Sequence, residues 1–283
     1  MAKDETKRDK SMFNRFRWLL IILFFIFIVF TAFNNSIEII NKLYPIILAV
    51  FIFVIAGFHG IKRYGMKNMA IFFMITWVVS NFFEALSIQT GFPFGFYHYV
   101  NLPGPRLFEV PVIIMIAYFG MGYAAWTLSH VLTGQYSKKL EGKQILIVPF
   151  IGAFIMVMWD LIMDPSFSTL QSIWVWQNPG PYFGVPLVNF AGWFLVVFIF
   201  FQIFALYISK YDKNNMDKST VFSKLFWGEM VAAYAIVALN AILKPILYYN
   251  DINLAMALIT VFTMAFVSII SLITIMNNQS LRQ

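Results

Sequence analysis

Residues 43–88 read LYPIILAVFIFVIAGFHGIKRYGMKNMAIFFMITWVVSNFFEALSI. Two apolar runs, 43–61 and 68–88, flank a short connection that carries Lys62, Arg63 and Lys67. Each run approaches the roughly 20 apolar residues that a helix needs to cross about 30 Å of hydrocarbon. The runs are too long and too uniformly apolar for strands, and a spanning helix satisfies its own backbone hydrogen bonds. The stretch therefore predicts two consecutive membrane crossings joined on the basic side.

Outward from this pair, the same criterion finds further spans at 18–33, 110–132, 143–164, 186–208, 223–243 and 253–275. The expected fold class is all-α, a polytopic transmembrane bundle of about eight spans. The apolar run after the basic stretch Met1 to Arg17 lacks the small-residue pattern of a cleavage site, so it reads as a retained first span. The organisation expected is a basic tail over 1–17, one transmembrane domain over 18–275 and a short tail over 276–283.

Charge placement orients the bundle. Lys3, Lys7, Arg8, Lys10, Arg15 and Arg17 precede the first span, and Lys62, Arg63, Lys67, Lys138, Lys139, Lys143, Lys210, Lys213, Lys218 and Lys224 fall in alternate connections, with Arg282 at the end. Of the 20 basic residues, only Lys42, Arg106 and Lys244 fall on the other side. The basic side is normally cytoplasmic, which places both termini there in a multi-pass protein of the cell membrane. A missed or invented span would scramble this alternation.

Composition agrees. Apolar residues make up 60% of the chain and charged residues 12%, against about 45–50% and 25% in ordinary globular proteins. A net charge of +7 could suggest nucleic acid, but the basic residues sit in short clusters between apolar runs. The partner expected is the lipid bilayer, not nucleic acid, and nothing in the sequence specifies an oligomeric state. With 33 Phe and eight Trp, the chain suits a lipid-facing surface or a pocket for a long apolar ligand, and the absence of Cys excludes disulfides and thiolate metal sites.

Two long connections on the less basic side stand out. Residues 89–109 read QTGFPFGFYHYVNLPGPRLFE and residues 165–185 read PSFSTLQSIWVWQNPGPYFGV. Both are rich in Gly, Pro and aromatics and nearly free of charge, so they should lie in the membrane interface or fold back over the bundle. Beneath them lie Glu84, near the end of the third span, and Asp160 and Asp164, near the end of the fifth. An intramembrane carboxyl group is costly and is read as functional or paired. Near a helix end the cost is smaller, and Asp164, just before Pro165, could equally serve to end the helix.

These groups share one end of the bundle. Asp160 and Asp164, four apart, lie on one helix face. Trp77 and Asn81 share the side of the third span that carries Glu84. Asn189 and Trp193 are again four apart, Asn240 and Lys244 end the seventh span, and Tyr97 with His98 lies in the overlying loop. His59 and His130 read as interfacial, and Glu229 as a partner for Lys224 or for a helix N-terminus.

Several chemistries can be weighed. A Gly-rich phosphate loop, HExxH and GxSxG are all absent. The pair in WDLIMD would fit a Mg-dependent prenyltransferase, but diphosphate binding normally asks for a second acidic cluster. A transporter should show midplane Gly/Pro breaks. Three carboxyl groups in an aromatic, water-poor pocket suit proton chemistry on an alkene. Burial disfavours a charged carboxyl and so preserves an acid, and aromatic faces can stabilise a carbocation.

The stretch from Glu84 through TGFPFGFYHY, then WDLIMDP and WVWQNPGPYFGVPLVNFAGWF, resembles the membrane carotenoid biosynthesis proteins of the CruF type, carotenoid hydratases that include the bisanhydrobacterioruberin hydratases of haloarchaea. The similarity covers about residues 77–195. It implies addition of water to the terminal double bond of an acyclic carotenoid or related isoprenoid, with no cofactor and no metal. It further implies Glu84, Asp160 and Asp164 as catalytic residues, and Trp77, Asn81, Tyr97, His98, Trp159, Asn189 and Trp193 as substrate-binding residues. A carotenoid cyclase, another isoprenoid-modifying enzyme and a non-enzymatic lipid or carotenoid carrier are the alternatives.

Overall fold

The computed structural model describes residues 2–34, 38–136, 139–211 and 222–281. Lys138, Lys213, Lys218 and Arg282, counted for orientation, lie outside the described residues, as do Met1 and 282–283 of the expected tails.

The helices are α1 (Ala2–Phe33), α2 (Glu38–Thr90), α3 (Val112–Leu132), α4 (Gln144–Asp164), α5 (Leu187–Tyr211), α6 (Lys224–Leu247), α7 (Asp251–Thr260) and α8 (Phe266–Asn277). Pro165–Leu170 continues α4 as a π-helical turn, and Val261–Ala265 joins α7 to α8 in the same way. Among the described residues, four short strands complete the order: β1 (Tyr97–Tyr99), β2 (Arg106–Leu107), β3 (Val110–Pro111) and β4 (Trp174–Trp176).

Among the described residues, seven helices are long and apolar enough to cross a membrane. The second of them makes two passes. A straight α2 of 53 residues would extend about 80 Å. Instead the chain turns at Gly65, whose φ of 81° and ψ of 162° break the helix. Only glycine enters that region without steric cost. The arms on either side then pack together, with the Phe53 and Phe73 rings 5.9 Å apart. Twenty residues along a straight helix would separate them by about 30 Å. The turn falls inside the basic connection, and the eight passes of the all-α bundle follow.

Two ends of the bundle emerge. At the basic end, Arg17 Nε of α1 meets Glu229 Oε2 of α6 at 2.7 Å, and both side chains are buried. Glu229 therefore pairs with Arg17, not with Lys224, whose ammonium donates to the Met276 carbonyl at 2.6 Å. His59 and His130 are not interfacial but fully buried. His59 bonds the Tyr123 hydroxyl at 2.8 Å and the Phe226 carbonyl at 2.9 Å, and His130 Nδ1 bonds the Trp126 carbonyl at 2.9 Å. Helix packing here leaves less room for solvent than the run of the sequence implies.

Apolar side chains also cover much of the outside. Ile22, Leu23, Ile26 and Phe30 of α1 all face outward. Such a band suits hydrocarbon and would associate in water. At the end opposite the basic cluster, the two long connections fold back over the helices. β1 pairs antiparallel with β4 in the register Tyr97 with Trp176, His98 with Val175 and Tyr99 with Trp174. The packing of this cap relies on Gly192 in the first turns of α5. A Cβ there would lie 2.7 Å from the Pro93 carbonyl oxygen and 2.8 Å from the Phe94 ring.

Candidate active site

The alternation of a strand puts residues i and i+2 on one face. Tyr97 and Tyr99 therefore point inward together, as do Trp174 and Trp176 on the paired strand, whereas His98 and Val175 between them are exposed. The inner face of this ribbon is a floor of four aromatic rings, each carrying a polar hydrogen. Tyr97 and Trp176 lie 5.0 Å apart between centroids, and Tyr99 and Trp174 lie 6.0 Å apart.

Those hydrogens are aimed at carboxyl groups. The hydroxyls of Tyr97 and Tyr99 both donate to Glu84 Oε2, Tyr99 at 2.9 Å, and the Tyr118 hydroxyl from α3 donates to Oε1 at 2.7 Å. Burial pushes the phenols of Tyr97 and Tyr99 well above their ordinary value, and the neighbouring Glu84 charge adds to the effect. They stay protonated, as donors. The indole nitrogens of Trp174 and Trp176 donate to Asp164 Oδ1 at 3.1 and 3.3 Å.

Asp160 and Asp164 lie one turn apart on α4, and Asn189 in the first turn of α5 faces both. Its side-chain nitrogen donates to Asp160 Oδ2 at 2.9 Å and to Asp164 Oδ2 at 2.8 Å. Among the described residues, Asp160 Oδ1 is the one carboxyl oxygen of the three groups without a hydrogen-bond partner. Asp164 is the last residue of α4 but does not turn the chain there. The chain continues through Pro165 as the π-helical turn, and the Ser168 hydroxyl donates to the Asp164 carbonyl at 2.8 Å.

A cavity lies beside these groups. Glu84, Tyr97, Trp159, Asp164, Asn189 and Trp193 all line it, at the end of a body lined by residues such as Ile52, Ala117 and Met121. Trp193 stacks on Tyr118 at 4.6 Å with 7° between planes, and Trp159 meets Trp193 edge-on at 5.9 Å.

Four expected residues lie elsewhere. Asp160 is fully buried behind Asn189. Asn81 donates to the Leu107 carbonyl at 3.3 Å and anchors the loop. Trp77 packs edge-on against Phe73 at 5.4 Å. His98 faces away from the cavity on β1. Conversely, Tyr99, Tyr118, Trp174 and Trp176 escaped the sequence reading. The period-two patterns YHY and WVW were the available signal for three of them. Tyr118, inside an apolar helix, carried none.

The cavity can hold the apolar end of a long ligand against two carboxyl groups on different helices. Its walls are aromatic, and its polar groups are concentrated at one end.

No solved structure matches the chain. The bisanhydrobacterioruberin hydratase of Haloarcula japonica is 27% identical over 113 residues, 40% of this chain and 36% of that protein. The matched stretch thus spans little more than a third of that relative's length. The model of the family described as carotenoid biosynthesis protein matches far more, residues 16–266. A multi-pass helical chain matched by that model over most of its length belongs to the carotenoid biosynthesis protein family.

Proposed function

We propose that the protein hydrates the terminal double bond of an acyclic carotenoid to a tertiary alcohol. The observation that carries this reading is the placement of Glu84 and Asp164 on the wall of one aromatic cavity whose body is apolar. A polyene enters such a body from the bilayer, and its end meets the carboxyl groups of Glu84 and Asp164 there. The name of the Haloarcula relative adds support, as a hydratase of a related substrate class.

The aspartate pair has the role of proton source. Both oxygens of Glu84 are occupied by phenol donors, whereas Asp160 Oδ1 has none, so a carboxyl hydrogen finds its place in the pair. Asp164 is the member facing the cavity. The alkene's π electrons take its proton at the CH carbon, leaving a tertiary cation on the dimethyl-bearing carbon. Trp159, Trp193 and Tyr97 present ring faces or edges nearby, and a ring face attracts a cation. The oxygen of water then bonds to the cation, and its surplus proton goes to Glu84. One H and one OH have been added, no electrons have changed hands, and the proton gained by Glu84 returns to the aspartates through water.

The test is expression in cells that make an acyclic carotenoid, with pigments analysed by chromatography and mass. A product heavier by one water is expected. Glu84→Gln and Asp164→Asn should each lower its formation by about 10²–10⁴-fold, the usual contribution of an acid or base, with the protein still in the membrane. A ring-bearing product of unchanged mass would mean cyclisation instead. Full conversion by both variants would remove these residues from the chemistry.

A further inference from the structure

A second cavity lies against the first. Leu48, Trp159, Met163 and Phe167 line both and form the wall between them. The two differ in their polar groups. In the first, the side chains of Glu84, Asp164 and Asn189 are engaged by one another and by Tyr and Trp donors. The second is bordered by Ser166, Asn240, Lys244 and Asn253.

Among the described residues, no hydrogen bond or ion pair engages the side chain of Asn240 or of Lys244. Asn240 is nonetheless only 5% exposed, and the Lys244 ammonium has the Tyr44 ring beside it at 5.5 Å. Lys244 is half-buried, and a polar side chain enclosed without a partner, as at Asn240, is costly. Water satisfies them where the space is polar and roomy enough and offers each molecule two to four polar partners. This cavity meets both conditions. The first offers its polar atoms already bonded.

A hydration needs its water close to the cation but not packed around it, since a tertiary cation left dry loses a proton again. Resting on the hydration reading above, the geometry points to the second cavity as the water store of the reaction. Asn240 and Lys244 hold the co-substrate, and it passes the wall at the flexible side chain of Met163. When water arrives, its oxygen forms the C–O bond and its proton goes to the carboxylate. When it does not, the cation releases a proton from a neighbouring carbon and an alkene returns.

Deuterium separates the two fates. Membranes carrying the full-length protein are given an acyclic carotenoid in D2O, and both the hydrated product and the recovered alkene are analysed by mass. Protonation followed by proton loss leaves deuterium in the alkene. Asn240→Leu and Lys244→Met should each lower hydration about fivefold or more, the effect of losing one good hydrogen bond, while deuterium in recovered alkene persists or rises. Asn240→Ser, which keeps the cavity polar, should retain hydration. Retained deuterium exchange also shows that a variant is folded. Undiminished hydration in both apolar variants overturns the inference, as does an equal loss of hydration and exchange. A wild-type protein that neither hydrates nor exchanges overturns the hydratase reading itself, and the water store with it.

Discussion

The side-chain nitrogen of Asn189 lies 2.8 Å from Asp164 Oδ2, and the same nitrogen lies 2.9 Å from Asp160 Oδ2. One amide thus holds a cavity-facing carboxyl group and a buried one in register across two helices. Asn189→Leu leaves both carboxyl groups without this donor. Hydrogen bonds to charged groups contribute about 1.5–3 kcal/mol, so turnover should fall by roughly ten- to a hundredfold. Product formation per unit of membrane-inserted protein checks this.

Tyr118 does two things at once, donating to Glu84 Oε1 at 2.7 Å and stacking on Trp193 at 4.6 Å. Tyr118→Phe removes only the first. Activity should drop about tenfold, a single charge-assisted bond, with thermal stability in detergent nearly unchanged. Tyr97→Phe with Tyr99→Phe strips both donors from Glu84 Oε2 and should cost more than either alone. Because both phenols are held well above their ordinary value by burial, their ionisation should cause no loss of activity up to about pH 10.

Gly192 marks the closest approach of the cap to α5. A methyl group there would sit 2.7 Å from the Pro93 carbonyl oxygen. Gly192→Ala should destabilise the protein by about 1–3 kcal/mol, the usual cost of overpacking, and lift the cap from the cavity. A lower unfolding midpoint together with lost activity is the expected pair of readings.

At the other end, Arg17 and Glu229 form a buried ion pair at 2.7 Å. Glu229→Leu leaves the guanidinium buried without its carboxylate and should cost about 3–5 kcal/mol, whereas Arg17→Met combined with Glu229→Leu should approach wild-type stability. Unfolding midpoints of the single and double variants decide it. Catalysis in the surviving double variant should be unchanged, since the pair sits at the end remote from Glu84.

The membrane passes were legible because hydrocarbon imposes a local rule: about 20 apolar residues in succession, closed by charge. Residues 43–61 and 68–88 obey it, and even the turn between them fell where Lys62 and Arg63 announced it. The basic residues likewise predicted which connections share an end. Glu84, Asp160 and Asp164 stood out for the related reason that carboxyl groups are scarce in such segments.

What surrounds those carboxyl groups was a matter for tertiary structure alone. Tyr118 is one aromatic among many in α3, and only the packing of α3 beside α2 brings its hydroxyl to Glu84. Trp174 and Trp176 reach Asp164 because β4 pairs with a strand more than seventy residues earlier, and the same alternation turns His98 away. The sequence by itself determined how many times the chain crosses and which end gathers the acids, since each follows from the solvation of a single segment. Which carboxyl oxygen meets which donor, and that Asp160 stands behind the cavity while Asp164 faces it, depends on distances of a few ångströms between segments far apart in the chain. No local pattern encodes those distances.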